Sequence, residues 1–153
     1  MYRSVMKIAF SALVASSFTL SAETKIERSA LPPSVQKTMQ QQSQGATVKG
    51  YSMEHENGQT LYEAEMMVSG HSRDIEVAKD GTLMEVEEQV EMASLPPAVI
   101  KSLNARAAGA TITKVESLTK QNKVVAYEAA TLKGTRKGEV QVGPNGERLS
   151  REE

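Results

Sequence analysis

The sequence Leu-Pro-Pro-Ser-Val at residues 31–35 returns as Leu-Pro-Pro-Ala-Val at residues 95–99. Three further blocks recur in the same order in the two halves of the chain: Gly-Ala-Thr at 45–47 and 109–111, Tyr-Glu-Ala at 62–64 and 127–129, and Asp-Gly or Asn-Gly at 80–81 and 145–146. Blocks that recur in a constant order indicate an internal duplication. We therefore predict two copies of one structural unit, repeat 1 at residues 31–94 and repeat 2 at residues 95–153.

Each repeat begins with a proline pair, which suits the first turn of a helix because the missing N–H groups would have no partner there. The segments that follow are short, and several are separated by tight-turn dipeptides such as those ending at Gly81 and Gly146, where we expect positive φ. Connections this short join antiparallel strands. The sequence therefore predicts an α+β fold, a tandem repeat of a helix packed on a four-stranded antiparallel β-meander.

The first residues have the layout of a secretory signal. Arg3 and Lys7 precede an uncharged run that ends at Leu20, and the charged residue Glu23 follows two small residues. We expect residues 1–22 to be a signal peptide and residues 23–30 to be a short linker. The mature protein would then be periplasmic or secreted from a bacterium, with no membrane segment after signal removal.

Charge is divided unevenly between the two repeats. Residues 30–94 contain 11 acidic and 4 basic residues, whereas residues 95–153 contain 6 acidic and 10 basic residues. The alternation of strand side chains predicts that much of the acid shares one exposed sheet face. We expect this face to bind a positively charged partner, and an ordinary solvated surface is the alternative. Its expected members are Glu63, Glu65, Asp74, Glu76, Glu85 and Glu87. Lys133, Arg136 and Lys137 form the predicted basic patch.

Little catalytic equipment can be found in the sequence. The chain has no cysteine, and it has none of the common serine-hydrolase, zinc-protease or phosphate-loop motifs. We therefore expect neither an enzyme nor a cofactor. His55, His71 and Met67 are weak candidates for metal binding, and cation binding by carboxylates, Met and His of repeat 1 is the alternative function. Nucleic acid is not an expected partner, because the chain is slightly acidic and only 4% aromatic.

The repeated pattern Leu-Pro-x-x-Val, Gly-Ala, Tyr-Glu and Val-x-x-Asp-Gly resembles the PepSY-like family, and its tandem arrangement resembles the β-lactamase-inhibitor-like proteins. The resemblance covers residues 31–149. It implies a periplasmic or extracellular, non-catalytic module that binds, and sometimes restrains, peptidases or other enzymes. We therefore expect an exported protein-binding module. Its partner would be a peptidase or another exported enzyme, which it inhibits or regulates, or a second copy of the chain bound through the oppositely charged halves.

Overall fold

The computed structural model describes residues 24–56 and 58–151 of the chain. The predicted signal peptide, residues 1–22, lies outside the described residues. Two short 3₁₀ turns, Arg28–Ala30 and Met92–Ser94, each precede one of the two helices. In chain order the elements are β1 Thr24–Ile26, α1 Pro33–Gln42, β2 Thr47–Glu56, β3 Gln59–Val68, β4 His71–Ala78, β5 Leu83–Gln89, α2 Pro97–Ala107, β6 Thr111–Lys120, β7 Lys123–Lys133 and β8 Arg136–Val142.

All eight of these strands belong to one antiparallel sheet, and they follow one another across it in sequence order from β1 to β8. The predicted tandem of two helix-plus-four-strand units is therefore wrong. The described chain is mostly β, with one open eight-stranded sheet and two helices. β5 and β6 pair directly, with Val86 opposite Thr119 and Gln89 opposite Glu116. This pairing satisfies backbone N–H and C=O groups that two separate meanders would leave unpaired at their edges.

The strands are also shared unequally between the two halves. The segment that we predicted as a linker supplies β1, whose Ile26 lies opposite Tyr51 of β2. Among the described residues that follow the helix α2 there are three strands, because the chain beyond Val142 turns back in hydrogen bonds between Gly143 and Glu147 instead of continuing along the sheet. The turn signal at Asp80-Gly81 correctly marked the hairpin between β4 and β5, whereas the one at Asn145-Gly146 is followed by no strand among the described residues. Neither signal could show which edge strands would meet.

Both helices pack on the same face of this sheet. Val35 and Met39 of α1 are buried against a cluster that includes Ile75, and Val99 and Leu103 of α2 are buried against Val115 and its neighbours. Val86, which packs against the first cluster, lies opposite Thr119, and Thr119 has the same strand parity as Val115. Side chains of equal parity share a face. The opposite side of the sheet carries neither helix, and we call it the open face.

Two glycine turns bring the sheet close to the helix starts. Gly81 and Gly146 have φ of +92° and +81°, which confirms the expectation of positive φ. A Cβ atom on Gly81 would lie 3.0 Å from the Ser34 carbonyl oxygen, and one on Gly146 would lie 2.5 Å from the Ala98 carbonyl oxygen. Glycine is therefore required at both positions by backbone conformation and by close approach to a helix.

Candidate functional site

The six carboxylates singled out from the sequence all lie on the open face. Strand pairing arranges them in two rows across β3, β4 and β5, which we call the acidic rows. In each row the residues lie directly opposite one another on neighbouring strands. One row is Glu63, Glu76 and Glu85, and the other is Glu65, Asp74 and Glu87. Their grouping on one face follows from the strand register, whereas their role in binding stays a prediction.

Two more carboxylates extend this surface beyond β5. Glu116 of β6 and Glu128 of β7 lie opposite each other, and Gln89 opposite Glu116 connects them to repeat 1. Sequence reasoning missed both because it treated the two repeats as separate sheets. A signal was available for Glu128, since the repeated Tyr-Glu-Ala block gives it the same position as Glu63.

Burial on the open face is uneven. Glu65 is exposed, and Glu63, Asp74, Glu76 and Glu87 are half-buried. Only 8% of Glu85 and 5% of Glu116 is exposed, so these two carboxylates are buried although no helix covers them. Acidic side chains are seldom buried without a compensating partner.

Lysines on the same face supply that compensation. The Nζ atom of Lys120 lies 3.0 Å from Oε2 of Glu85, and the Nζ atom of Lys114 lies 2.7 Å from Oε2 of Glu116. Neutral donors orient other carboxylates: Ser52 donates a 2.9 Å hydrogen bond to Glu63, and Gln141 donates one of 2.6 Å to Glu128. The most buried acids are thus neutralised, while the acidic rows retain an excess of carboxyl groups.

Proton binding relieves part of this excess. Burial, followed by the charges of Glu85 and Glu54, raises the pKa of Glu76 to about 8. Burial, followed by the charges of Glu85, Glu128 and Glu116, raises the pKa of Glu87 to about 8. Burial also raises the pKa of Asp74 above its usual value. Near neutral pH the acidic rows therefore hold protons that an incoming cation could displace.

One group of carboxylates also has the spacing of a cation site. Oxygen atoms of Asp74, Glu87 and Glu116, from three adjacent strands, lie within 4.8 Å of one another. Carboxylate oxygens are ligands that Ca²⁺ accepts. Lys114 already bonds to Glu116 and would compete with a metal ion for that carboxylate.

Of the weak metal candidates from the sequence, the two histidines lie elsewhere. The ring of His71 is 3.6 Å from Glu91, and Nδ1 of His55 is 3.0 Å from the Thr60 hydroxyl. Met67 lies on β3 opposite Ser72 and Thr47. The group of possible ligands that the described residues bring together therefore contains neither histidine.

The predicted basic patch lies near the other end of the sheet. Lys133, Arg136 and Lys137 surround the turn between β7 and β8. With Arg106 from the end of α2, they line a cavity of about 220 Å³. Arg106 was not singled out from the sequence, because its nearness to this hairpin depends on how α2 crosses the sheet.

Comparison with known proteins identifies the fold but no family. No family model and no curated protein matches the chain. A proposed periplasmic protein from Bacteroides eggerthii is 16% identical, with a TM-score of 0.61, over 76% of this chain and 84% of its own. A BLIP-like protein from Bacteroides fragilis is 17% identical, with a TM-score of 0.56, over 78% of this chain and 83% of its own. A DUF2874 family protein from Bacteroides ovatus is 17% identical, with a TM-score of 0.60, over 78% of this chain and 85% of its own.

These similarities support a BLIP-like fold, in agreement with the expected likeness to β-lactamase-inhibitor-like proteins. PepSY is not named in the descriptions of these three structures. Within the described part of the chain, no helix has the length and apolar character needed to cross a membrane.

Proposed function

We propose that this chain is an exported, non-catalytic protein-binding module that receives a positively charged segment of a partner protein on its open face. The observation that carries the proposal is the pairing of carboxyl groups in the acidic rows, for example Glu76 between Glu63 and Glu85. Like charges directly opposite each other destabilise a sheet, and half-burial raises the cost further. A basic segment laid across the rows would remove that cost.

The rest of the proposal rests on sequence and fold. The signal-like residues 1–22 and the proposed periplasmic location of the Bacteroides eggerthii neighbour both support export to the periplasm. The absence of cysteine removes thiol catalysis, and the BLIP-like fold is compatible with protein binding. Inhibition or regulation of a peptidase or another exported enzyme is the finer form of this proposal, and it rests on the family resemblance.

A direct test uses decalysine as a model basic segment and isothermal titration calorimetry at low salt. The variant Glu65→Gln with Glu76→Gln should weaken binding by about tenfold, which corresponds to about 1.4 kcal/mol. The matched control is Glu88→Gln with Glu91→Gln, which replaces the same number of carboxyl groups at exposed positions outside the acidic rows. Equal weakening by both variants would show a non-specific charge effect and contradict the proposal.

The partner itself can be sought by affinity capture from a bacterial periplasmic fraction. A protein retained by the wild type and by the control variant, but lost with the Glu65→Gln and Glu76→Gln variant, would qualify as the partner. A protein retained equally by all three would bind elsewhere on the chain.

Cation binding is the second candidate function, and the spacing of Asp74, Glu87 and Glu116 favours it. Three carboxylates supply up to six oxygen ligands, the lower end of what Ca²⁺ takes. If this is the function, Ca²⁺ alone should raise the melting temperature of the wild type and leave that of Asp74→Asn with Glu87→Gln unchanged. A response to decalysine without a response to Ca²⁺ would favour protein binding instead.

A further inference from the structure

The cavity at the basic patch is open because α2 ends before it covers the last part of the sheet. The pair Ala129 and Val140 lies beneath α2, with Ala129 buried in its core. The next pair on the same face is Thr131 and Gly138, and α2 ends at Ala107. The cavity of about 220 Å³ lies between this helix end and the β7–β8 hairpin.

The floor of the cavity is polar. A Cβ atom on Gly138 would lie 3.3 Å from the Thr131 hydroxyl oxygen, so the missing side chain leaves the space beside that hydroxyl open. Thr131 is largely buried, with 9% of its surface exposed. A hydroxyl group can donate a hydrogen bond to an oxyanion that enters this space.

Three cations lie on the same side of the sheet as the floor, Arg106 at the helix end and the opposed Lys133 and Arg136 on the hairpin, and none of the residues lining the cavity is acidic. Within residues 24–56 and 58–151, no salt bridge joins Arg106, Lys133, Arg136 or Lys137 to a carboxylate. The Nζ atom of Lys133 lies 3.5 Å from the Ala108 carbonyl oxygen, near the negative end of α2. The helix end contributes about half a negative charge, which offsets only a small part of the three positive charges on this side of the sheet.

Size and donor directions select the ligand. Cavities for larger ligands measure roughly 300–1,000 Å³, so this one suits a single compact group. Its donors approach from the helix end, from the hairpin and from the floor, which suits oxygens that point in several directions. Arginine and lysine both bind phosphate oxygens through charge-assisted hydrogen bonds.

We propose that this cavity binds one tetrahedral oxyanion, a phosphate or sulfate group, held by Arg106, Lys133, Arg136 and the Thr131 hydroxyl. The group is either a free ion or part of a headgroup at a membrane surface. Thr131 and Gly138 share the helix-bearing face of the sheet, whereas the acidic rows lie on the open face. The site therefore does not depend on the function proposed above.

The first measurement is titration calorimetry with inorganic phosphate and with sulfate, in chloride-containing buffer at constant ionic strength. We expect saturable binding with a Kd of roughly 1 mM or lower. Lys133→Gln with Arg136→Gln should weaken it at least tenfold. Lys101→Gln with Lys123→Gln changes the net charge equally at exposed positions outside the cavity and should leave binding unchanged.

Thr131→Val distinguishes a specific phosphate site from non-specific attraction to a positively charged surface, because it removes the hydroxyl and keeps the side-chain shape and the net charge. A several-fold loss of phosphate affinity supports the site. Unchanged phosphate affinity in Thr131→Val would overturn the proposal. Equal phosphate affinity of Lys133→Gln with Arg136→Gln and of Lys101→Gln with Lys123→Gln would overturn it as well.

Vesicles distinguish the two sources of the anion. Phosphatidylcholine vesicles containing one-fifth phosphatidylglycerol should bind the wild type, but neither Thr131→Val nor Lys133→Gln with Arg136→Gln, if the anion is a headgroup. Binding of inorganic phosphate without binding to these vesicles indicates a free ion. Binding of neither probe, or displacement of both by an equal concentration of chloride, would refute the site.

Discussion

Glu76 lies directly opposite Glu85 on adjacent antiparallel strands, and both side chains are on the open face of the sheet. Lys120 is 3.0 Å from Glu85, and burial together with the charges of Glu85 and Glu54 raises the pKa of Glu76 to about 8. Repulsion between the two carboxyl groups is thus relieved, because a lysine neutralises Glu85 and a proton neutralises Glu76. The same division explains how a sheet can carry two rows of carboxyl groups and still fold.

The stability of the protein should fall as pH rises between about 4.5 and 8. Glu76 and Glu87 have pKa values of about 8 in the folded state and ordinary values near 4.5 when unfolded. The folded state therefore binds more protons in this window, so the free energy of unfolding decreases with pH. We expect a loss of roughly 2–4 kcal/mol after allowance for solvent screening. Urea unfolding at pH 5, 7 and 9 measures it.

Glu76→Gln with Glu87→Gln should flatten this pH dependence, because the amides cannot titrate. Glu27→Gln with Glu91→Gln serves as the control and should retain it. A free energy of unfolding that is constant or increasing from pH 5 to pH 8 in the wild type would show that these carboxyl groups ionise normally.

Binding of a basic segment to the acidic rows should release protons near pH 7. Cations favour the ionised carboxylates, so Glu76 and Glu87 must lose the protons that they hold in the free protein. Calorimetry with decalysine in Hepes and in Tris, whose ionisation enthalpies differ, counts the protons released. The count should approach zero in Glu76→Gln with Glu87→Gln. Identical heats in both buffers for the wild type would place the bound segment away from these two residues.

Three glycine-to-alanine variants should be destabilised to different extents. Gly70 and Gly81 have nearly equal φ, +88° and +92°, but only Gly81 lies against a helix. Gly70→Ala should cost about 1–2 kcal/mol from its backbone conformation alone. Gly81→Ala should cost more, and Gly146→Ala the most, since its Cβ would lie 2.5 Å from the Ala98 carbonyl oxygen. An equal decrease in the free energy of unfolding for all three variants, measured by urea unfolding, would mean that the turns shift to accommodate a Cβ atom and that the contact with a helix adds no cost.

Self-association should depend on salt if the acidic rows of one copy meet the basic patch of another. Exposed charges are screened over about 8 Å at physiological ionic strength. Sedimentation velocity should then show dimers at low salt that dissociate as salt rises, and Glu65→Lys with Glu76→Lys should abolish them. A monomer at every salt concentration would eliminate self-association and leave a foreign ligand, either a basic protein or a cation, for the acidic rows.

The sequence predicted local features better than their assembly. Period-two alternation correctly placed Glu63, Glu76 and Glu85 on one face, because strand parity is a local property. It could not predict that β5 pairs with β6, since that contact is made across the intervening α2 and depends on the whole sheet. Burial of Glu85 and the nearness of Glu116 to Asp74 follow from the same pairing, so both were missed.

The pairing of β5 with β6 also has a consequence for a divided chain. A cut between Gln89 and Met92 would leave each fragment with one helix, one apolar cluster and a bare strand at its inner edge. Each bare strand would offer backbone hydrogen bonds in the register that the other requires. The two fragments are therefore suited to reassemble when mixed, and the boundary between β5 and β6 is a natural place to build a split reporter.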